Sequence, residues 1–341
     1  MENLDLISEP NCIICGSPGR NIYCDLHDDL FSVAGKWSMS ICDDCSFLWL
    51  NPRPKEKDIE KLYNSYYTHN QLVNQHLSGV ELDFGSFPKN KKIKYAVLAS
   101  HFGYVIDMPR IYRVLGTGLG YIPSIRKRIW LSIVGLSAAP NKKILDLGCG
   151  NGDFVLEMKY LGWDSYGLEI DRQAVDIGRA AGLNIKYSFL NDDTYEKEYF
   201  DVIHMNNVIE HVYNPLEILE RCYNILKPGG QLIIRTSNAN SLAHTVFGSN
   251  YRGLEIPRHL HIFSPKSFEL ISKKFNFQIE NLGTYINKYI WFSSYKLHKK
   301  RSNPAEIGRC RIVEIALGVF YFFFLKIRPY RGDDIFLILK K

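Results

Sequence analysis

Residues 144–152 read Ile-Leu-Asp-Leu-Gly-Cys-Gly-Asn-Gly, a short apolar run that passes directly into three alternate glycines. No other stretch of the chain constrains the fold as tightly. Ile144, Leu145 and Leu147 form a buried strand, and Gly148, Gly150 and Gly152 let the main chain turn sharply and approach a ligand without Cβ interference. A helix is predicted over about 152–161, its N-terminus pointing at the same turn. Tyr166-Gly167-Leu168-Glu169 then forms a second strand. Its terminal acid lies 23 residues after Asp146, the place that holds ribose hydroxyls in such βαβ units.

Spacing separates the two cofactor classes that use this arrangement. Dinucleotide sites use G-x-G-x-x-G, in which the helix N-terminus receives a pyrophosphate. Here the glycines run G-x-G-x-G, with Asp146 two residues ahead of the first. That pattern suits a cofactor without phosphates, such as S-adenosylmethionine, although the glycines alone also fit a tight turn with no ligand.

Residues 200–215 supply a third strand, Phe200 to Met205, with Asn206, Asn207, Glu210 and His211 crowded after its carboxyl end, where open α/β sheets bind ligands. A helix over about 215–226, the breaker Lys227-Pro228-Gly229-Gly230 and the strand Gln231 to Arg235 follow. In this order and spacing, DLGCGNG, GLEID, FDVIHMNNVIEHV and LKPGGQLIIRT resemble class I S-adenosylmethionine-dependent methyltransferases over about 141–285. The resemblance implies a Rossmann-like sheet of seven strands, the last antiparallel and supplied by Asp333 to Leu339. It also implies that Asp146, Gly148, Cys149, Gly150, Gly152, Glu169, Asp171, Leu190 and Asn206 bind the cofactor.

Cys12-x-x-Cys15-Gly16 and Cys42-x-x-Cys45 form two knuckles, the second beginning 27 residues after Cys15. Thiolates so paired point inward from two turns and form a closed tetrahedral site. Zn²⁺ is the expected ion, with Fe not separated from it by sequence. Residues 1–55 hold four basic and eight acidic residues, too little apolar matter to fold unaided, so a structural metal would supply the missing energy. Cys24 and His27 read as spare, with His27 a minor alternative ligand. The eight cysteines and the acidic Met1–Pro10 segment, with no basic stretch before an apolar one, read as a reduced, cytoplasmic chain without a secretory signal.

This organisation gives a zinc-ribbon-like domain at 1–55, a helical linker or cap at 56–140 and the methyltransferase domain at 141–341. In the linker, Asp58–Tyr67 reads as a short helix, a basic run opens a helix from Lys89 to about Ser100, and 126–136 reads helical again. Gly116-Thr117-Gly118-Leu119-Gly120 reads as a hinge or turn, since no strand precedes it and no Lys-Ser/Thr follows to make a phosphate loop. From Asn287 onward there are twelve basic and four acidic residues around the apolar run 312–325. That run is too short to span a bilayer and reads as a helical insertion near 307–327. A peripheral membrane contact through 309–328 is the second reading, because basic flanks around an aromatic face suit anionic headgroups. Nucleic acid is a poorer partner, since no stripe of lysines interleaves the aromatics.

A four-cysteine ribbon ahead of such a domain, together with Gly253-Leu254-Glu255-Ile256-Pro257-Arg258-His259-Leu260-His261-Ile262-Phe263-Ser264, resembles methyltransferases of polysaccharide and deoxysugar biosynthesis. The C-methylating members carry a further C-terminal domain, so the resemblance implies O-methylation of a sugar, nucleotide-sugar or glycan acceptor. A quinone-like phenol or another small metabolite is the alternative acceptor, and a non-catalytic cofactor-binding module the third reading. O-methylation needs a proton acceptor, for which histidine is the commonest group. His259 is the first candidate, His211 the second and Glu210 the third, as base or as ligand of an acceptor-binding metal; His261 is the least suited.

Overall fold

The computed structural model describes residues 4–63, 84–191, 193–302 and 327–341. Contacts divide the chain into two compact units, Met1–Tyr67 with Met205–Asn224 and Pro228–Lys341, and Thr68–His204 with Ile225–Lys227. The expected partition at 55 and 140 cuts the chain elsewhere. The apolar insertion near 307–327 lies, apart from Ile327, outside the described residues.

In the first unit, β1 (Leu6–Ile7) pairs with β5 (Arg53–Pro54). The strands β2 (Gly19–Leu26), β3 (Trp37–Cys42) and β4 (Leu48–Leu50) form an antiparallel ribbon. A distant strand completes it: β11 (His261–Ile262) pairs antiparallel with β4, giving the order β11-β4-β3-β2. The reason is apolar surface. Trp37, Met39, Leu48 and Leu50 of the ribbon bury in one cluster with Tyr251, Leu254, Leu260 and Ile262. Each such side chain gains about 1.5–3 kcal/mol on full burial, which a segment of 55 residues could not supply by itself. Asp28 and Arg258 lock the same junction. Arg258 Nη1 and Nη2 lie 2.8 and 3.0 Å from the two Asp28 oxygens, and both side chains are fully buried.

In the second unit, β6 (Lys143–Leu147), β7 (Asp164–Glu169) and β8 (Ile185–Tyr187) pair in parallel. The helices α4 (Asp153–Tyr160) and α5 (Arg172–Ala180) form the crossovers between them. Ahead of them come α1 (Lys89–His101), α2 (Arg110–Gly120) and α3 (Pro123–Ser132). Lys94 joins α1 to α4 through Glu157, at 2.6 Å. The glycine run at 116–120 is therefore helical, and the expected hinge is corrected. Its glycines allow close approach: a Cβ on Gly116 would lie 2.4 Å from the Ala96 carbonyl, and one on Gly120 would lie 2.1 Å from the His101 ring. Packing against α1 outweighs the poor helix propensity of glycine.

A seven-stranded sheet is completed by β9 (Phe200–Asn206), β10 (Leu226–Ser237), β12 (Gln278–Tyr285) and β13 (Asp334–Lys340). The order is β12-β13-β10-β9-β6-β7-β8, with β13 antiparallel to both neighbours. This is the expected Rossmann-like class I methyltransferase sheet, and 334–340 is its antiparallel strand. The predicted breaker 227–230 falls inside β10, where Gly229 and Gly230 exchange backbone hydrogen bonds with Lys341. The helices α6 (Pro215–Ile225), α7 (Leu242–Phe247), α8 (Pro265–Lys274) and α9 (Lys288–Ser302) complete the fold. The predicted helix at 58–67 appears as a 3₁₀ segment, Glu56–Tyr63, beyond which the residues are not described.

Candidate active site

The turn after β6 is built from backbone. Gly148 and Cys149 both donate to the Leu168 carbonyl of β7, at 2.8 and 3.2 Å. Gly148, Gly150 and Gly152 take φ values of 70°, 55° and 89°, which only glycine adopts at no cost. The three do not share a role. A Cβ on Gly150 would meet nothing within 4 Å, so the turn is open there, whereas one on Gly152 would strike Leu183 and Ile185 at 2.6 and 2.7 Å. Gly152 is thus fixed by packing.

Glu169 is held in place by the same turn. Its Oε2 accepts from the Gly150 N–H at 2.8 Å, and its Oε1 from Ile170 and Asp171 at 2.8 and 3.0 Å. A carboxylate offers about four lone-pair positions, so Oε2 retains capacity for a further hydroxyl donor. Asp171 accepts from the amides of Gln173 and Ala174 and caps α5. Leu190 is buried, and Asn206 is exposed at the end of β9. Cys149 turns inward beside Val155, Val175 and Ile185, and burial, then the nearby Asp146 charge, pushes its thiol far up. A buried, protonated thiol contributes packing, not nucleophilic chemistry. Asp146 is also buried, and its Oδ1 lies 2.7 Å from Nδ1 of His204.

The candidate acid–base residues gather in the first unit. His211 is half-buried, and its Nδ1 lies 3.1 Å from the Arg258 carbonyl and 3.1 Å from the Tyr63 hydroxyl. A carbonyl only accepts, so Nδ1 carries the proton and Nε2 keeps its lone pair. His259 is buried, 4.6 Å from the His211 ring centre, and its Nδ1 donates to the Gly253 carbonyl at 2.7 Å. Its Nε2 faces Glu255 Oε2 at 3.7 Å. Burial drives His259 down to about 3, helped by the adjacent His211 and opposed by Glu255. Burial also lowers His211, against the opposing charge of Glu255. Glu255 is buried too, but the facing His259 and Arg252 more than offset burial and hold it ionised, down to about 2. Arg252 Nη1 sits 2.6 Å from its Oε2, and its backbone is left-handed at φ 35°.

Glu210 behaves in the opposite way. Its side chain is fully buried with neither oxygen hydrogen-bonded, and burial raises it to about 8. Its backbone carbonyl accepts from Leu260 and His261, which pins the 258–262 stretch. Ligand atoms of Glu210, His211 and His259 lie within 4.8 Å of one another. His261 stacks on Phe47 and is buried in β11, where burial and then Arg53 lower it to about 3. It is a core residue.

The four knuckle cysteines converge. Sulfur–sulfur distances are 3.6 Å for Cys12–Cys45, 3.4 Å for Cys15–Cys42 and 3.8 Å for Cys15–Cys45. Tetrahedral thiolates at about 2.3 Å from a metal stand about 3.8 Å apart, so the set fits one ion. Cys12 is lowered to about 5 by the Cys45 thiol beside it, and Cys45 is raised by the same contact. Cys24 and His27 are exposed and stand outside the set. Each knuckle closes through a left-handed residue, Gly16 in the first and Ser46 in the second.

Residues 121–282 match the profile of a methyltransferase domain. The matched segment, which holds the glycine turn and Glu169, is similar to methyltransferase domains. The ubiquinone biosynthesis O-methyltransferase of Shewanella sp. (strain ANA-3) is 30% identical over 142 residues, 38% of this chain and 60% of that protein. The protein of that name from Paraburkholderia phymatum is 30% identical over 132 residues, 36% of this chain and 57% of its own length. The chain thus spans about three-fifths of the curated relatives it matches. A solved SAM-dependent methyltransferase from Archaeoglobus fulgidus is 18% identical, covering 67% of this chain and 99% of its own at a TM-score of 0.44.

Sequence reasoning missed four members of these sites. His204 and Asp146 lie 58 residues apart on separate strands, and Tyr63 reaches His211 across 148 residues. Glu255 and Arg258 stand within the 253–264 stretch, yet only their partners Arg252 and Asp28 reveal their roles. For Glu255 the spacing to Arg252 and His259 on one turn was the available signal. Nothing in the sequence links Asp28 to Arg258.

Proposed function

We propose that this chain is an S-adenosylmethionine-dependent O-methyltransferase. The observation that carries the reading is Glu169, oriented by three backbone amides beside a glycine turn that is open at Gly150. The bound cofactor supplies a methyl group already activated on a sulfonium. The chain's own tasks are then to fix the ribose hydroxyls through Glu169, to align the acceptor, and to take up the hydroxyl proton. Alignment contributes about 7–11 kcal/mol of such a barrier, and a general base about 10²–10⁴-fold in rate.

His211 is the better base of the two histidines. It is half-buried, its Nδ1–H is anchored on the Arg258 carbonyl, and its Nε2 lone pair is available. His259 is buried and lowered to about 3, too weak to hold a hydroxyl proton at neutral pH, and it serves to pack and orient His211. The preference drawn from the sequence is reversed by these burials. For the four cysteines we propose one structural Zn²⁺.

Two acceptor classes remain, each favoured by an observation. A phenolic hydroxyl is supported by similarity to O-methyltransferases of ubiquinone biosynthesis and by a base weakened below its ordinary strength, which suits an acidic hydroxyl. A sugar hydroxyl is supported by the four-cysteine ribbon docked against the 251–262 stretch. The test is methyl transfer to a panel of catechol-type phenols, nucleotide sugars and lipid-linked oligosaccharides, read by mass spectrometry. One class should be methylated at oxygen, with a rate that falls at low pH and is lost in His211→Ala. Methylation at carbon or nitrogen would refute the reading.

A further inference from the structure

The helix α2 is turned inside out. Its small residues Gly116 and Gly120 face α1, while Ile111, Val114 and Leu115, spaced for one helical face, stand exposed on the other. Ile111 is 61% and Val114 62% accessible, and Tyr121, at 75%, and Ile122 continue the stripe. An amphipathic helix ordinarily buries that face. Around it Arg110, Arg113, Arg126, Lys127 and Arg128 are all exposed, and no acidic residue occurs between Met108 and Arg128.

We propose that 110–128 docks this chain on an anionic membrane surface. Apolar side chains would enter the headgroup boundary while the flanking cations meet lipid phosphates, the arrangement of an interfacial helix. Charge selects this occupant over the alternatives. A second copy related by a twofold axis would bring five cations against five. Nucleic acid would use the arginines but leave the Ile111-Val114-Leu115 stripe unsatisfied. Among the described residues no helix is long and apolar enough to cross a membrane, so the contact lies on the surface. The inference does not depend on which acceptor is methylated.

Cosedimentation of the full chain with vesicles tests it. Binding should be strong to phosphatidylglycerol–phosphatidylcholine vesicles, weak to phosphatidylcholine alone, and suppressed by high salt. I111S/V114S/L115S should bind about tenfold more weakly or worse, with its melting temperature confirming that it folds. Each basic residue near an anionic surface contributes roughly fivefold, so R113E/R126E/R128E, which leaves the apolar stripe intact, should lose at least about a hundredfold. The proposal is overturned if the wild type ignores anionic vesicles, if it binds neutral ones equally, or if both variants bind as it does. A wild-type dimer that the apolar variant splits, without vesicle binding, would instead mark the face as an interface between copies.

Discussion

The cofactor turn at 146–171 and the stretch at 251–264 reach their final geometry by opposite routes. In the turn, Glu169 is set by amides at 150, 170 and 171, and Gly148 by the carbonyl of Leu168. These partners of Glu169 and Gly148 lie within about one βαβ unit, while Asp146 reaches further, to His204. In the 251–264 stretch, Arg258 is paired with Asp28, 230 residues away, and β11 hydrogen-bonds to β4. Local wiring makes the turn readable from sequence and tolerant of change elsewhere. Long-range wiring makes the second region depend on the ribbon, so damage to the ribbon should reach His211 and His259.

The sharpest way to break this comparison is to remove the metal proposed for the four cysteines. Chelation, or replacement of Cys12, Cys15, Cys42 or Cys45 by serine, should unfold the ribbon, since structural zinc supplies about 10–16 kcal/mol in comparable peptides. Metal analysis, melting temperature and hydrogen exchange at 258–262 are the readouts. Exchange at 258–262 should rise with metal loss, while exchange at 146–169 should stay protected. Equal loss in both regions would erase the distinction.

A smaller effect isolates the ion pair. Asp28 is pushed up by burial but carried down overall by Arg258 and by the Val33 and Leu30 amides. Arg258→Met leaves that carboxylate buried without its partner, which costs about 3–5 kcal/mol. Chemical denaturation should show this loss. Because the Asp28 pKa is lowered on folding, its stabilisation is present above the ordinary carboxylate range and fades as pH falls through its folded value, so the penalty should shrink in acid. A penalty under 1 kcal/mol at neutral pH would mean the pair is idle.

The same contrast between local and long-range partners marks where sequence reading succeeds. The strands at 144–147, 166–169 and 200–205, the antiparallel 334–340 strand and the four cysteines were all visible, because spacing along the chain defines them. The helix at 110–120 was not. Its glycines signal a break, and only the Ala96 and His101 surfaces pressing on them explain a helix. Likewise PRHLHIF reads as a cluster of chemistry, yet Arg258 and His261 are core, and the base proposed here is His211, whose anchor is the Arg258 carbonyl.

Turnover separates the two histidines. His211→Ala should lower it by about 10²–10⁴-fold with cofactor affinity unchanged. His259→Ala should cost far less once the folded fraction is normalised. The smallest effect concerns Glu210. Its pKa is raised to about 8 on folding, so its stabilisation is complete below the ordinary range near 4.5 and is lost as pH rises through about 8. Glu210→Gln, neutral throughout, should gain on wild type by ~1 kcal/mol or more between pH 6 and pH 9 in urea unfolding. No relative gain would show that Glu210 is ionised and partnered in solution.

The most direct test of the account is calorimetric titration of the full chain with S-adenosylmethionine, since the locally wired turn must bind it whatever the acceptor. One molecule should bind per chain, and Glu169→Ala, its melting temperature checked, should weaken binding at least about tenfold by removing the ribose partner. A wild type that does not bind, or a Glu169→Ala variant that binds equally well, would contradict the account.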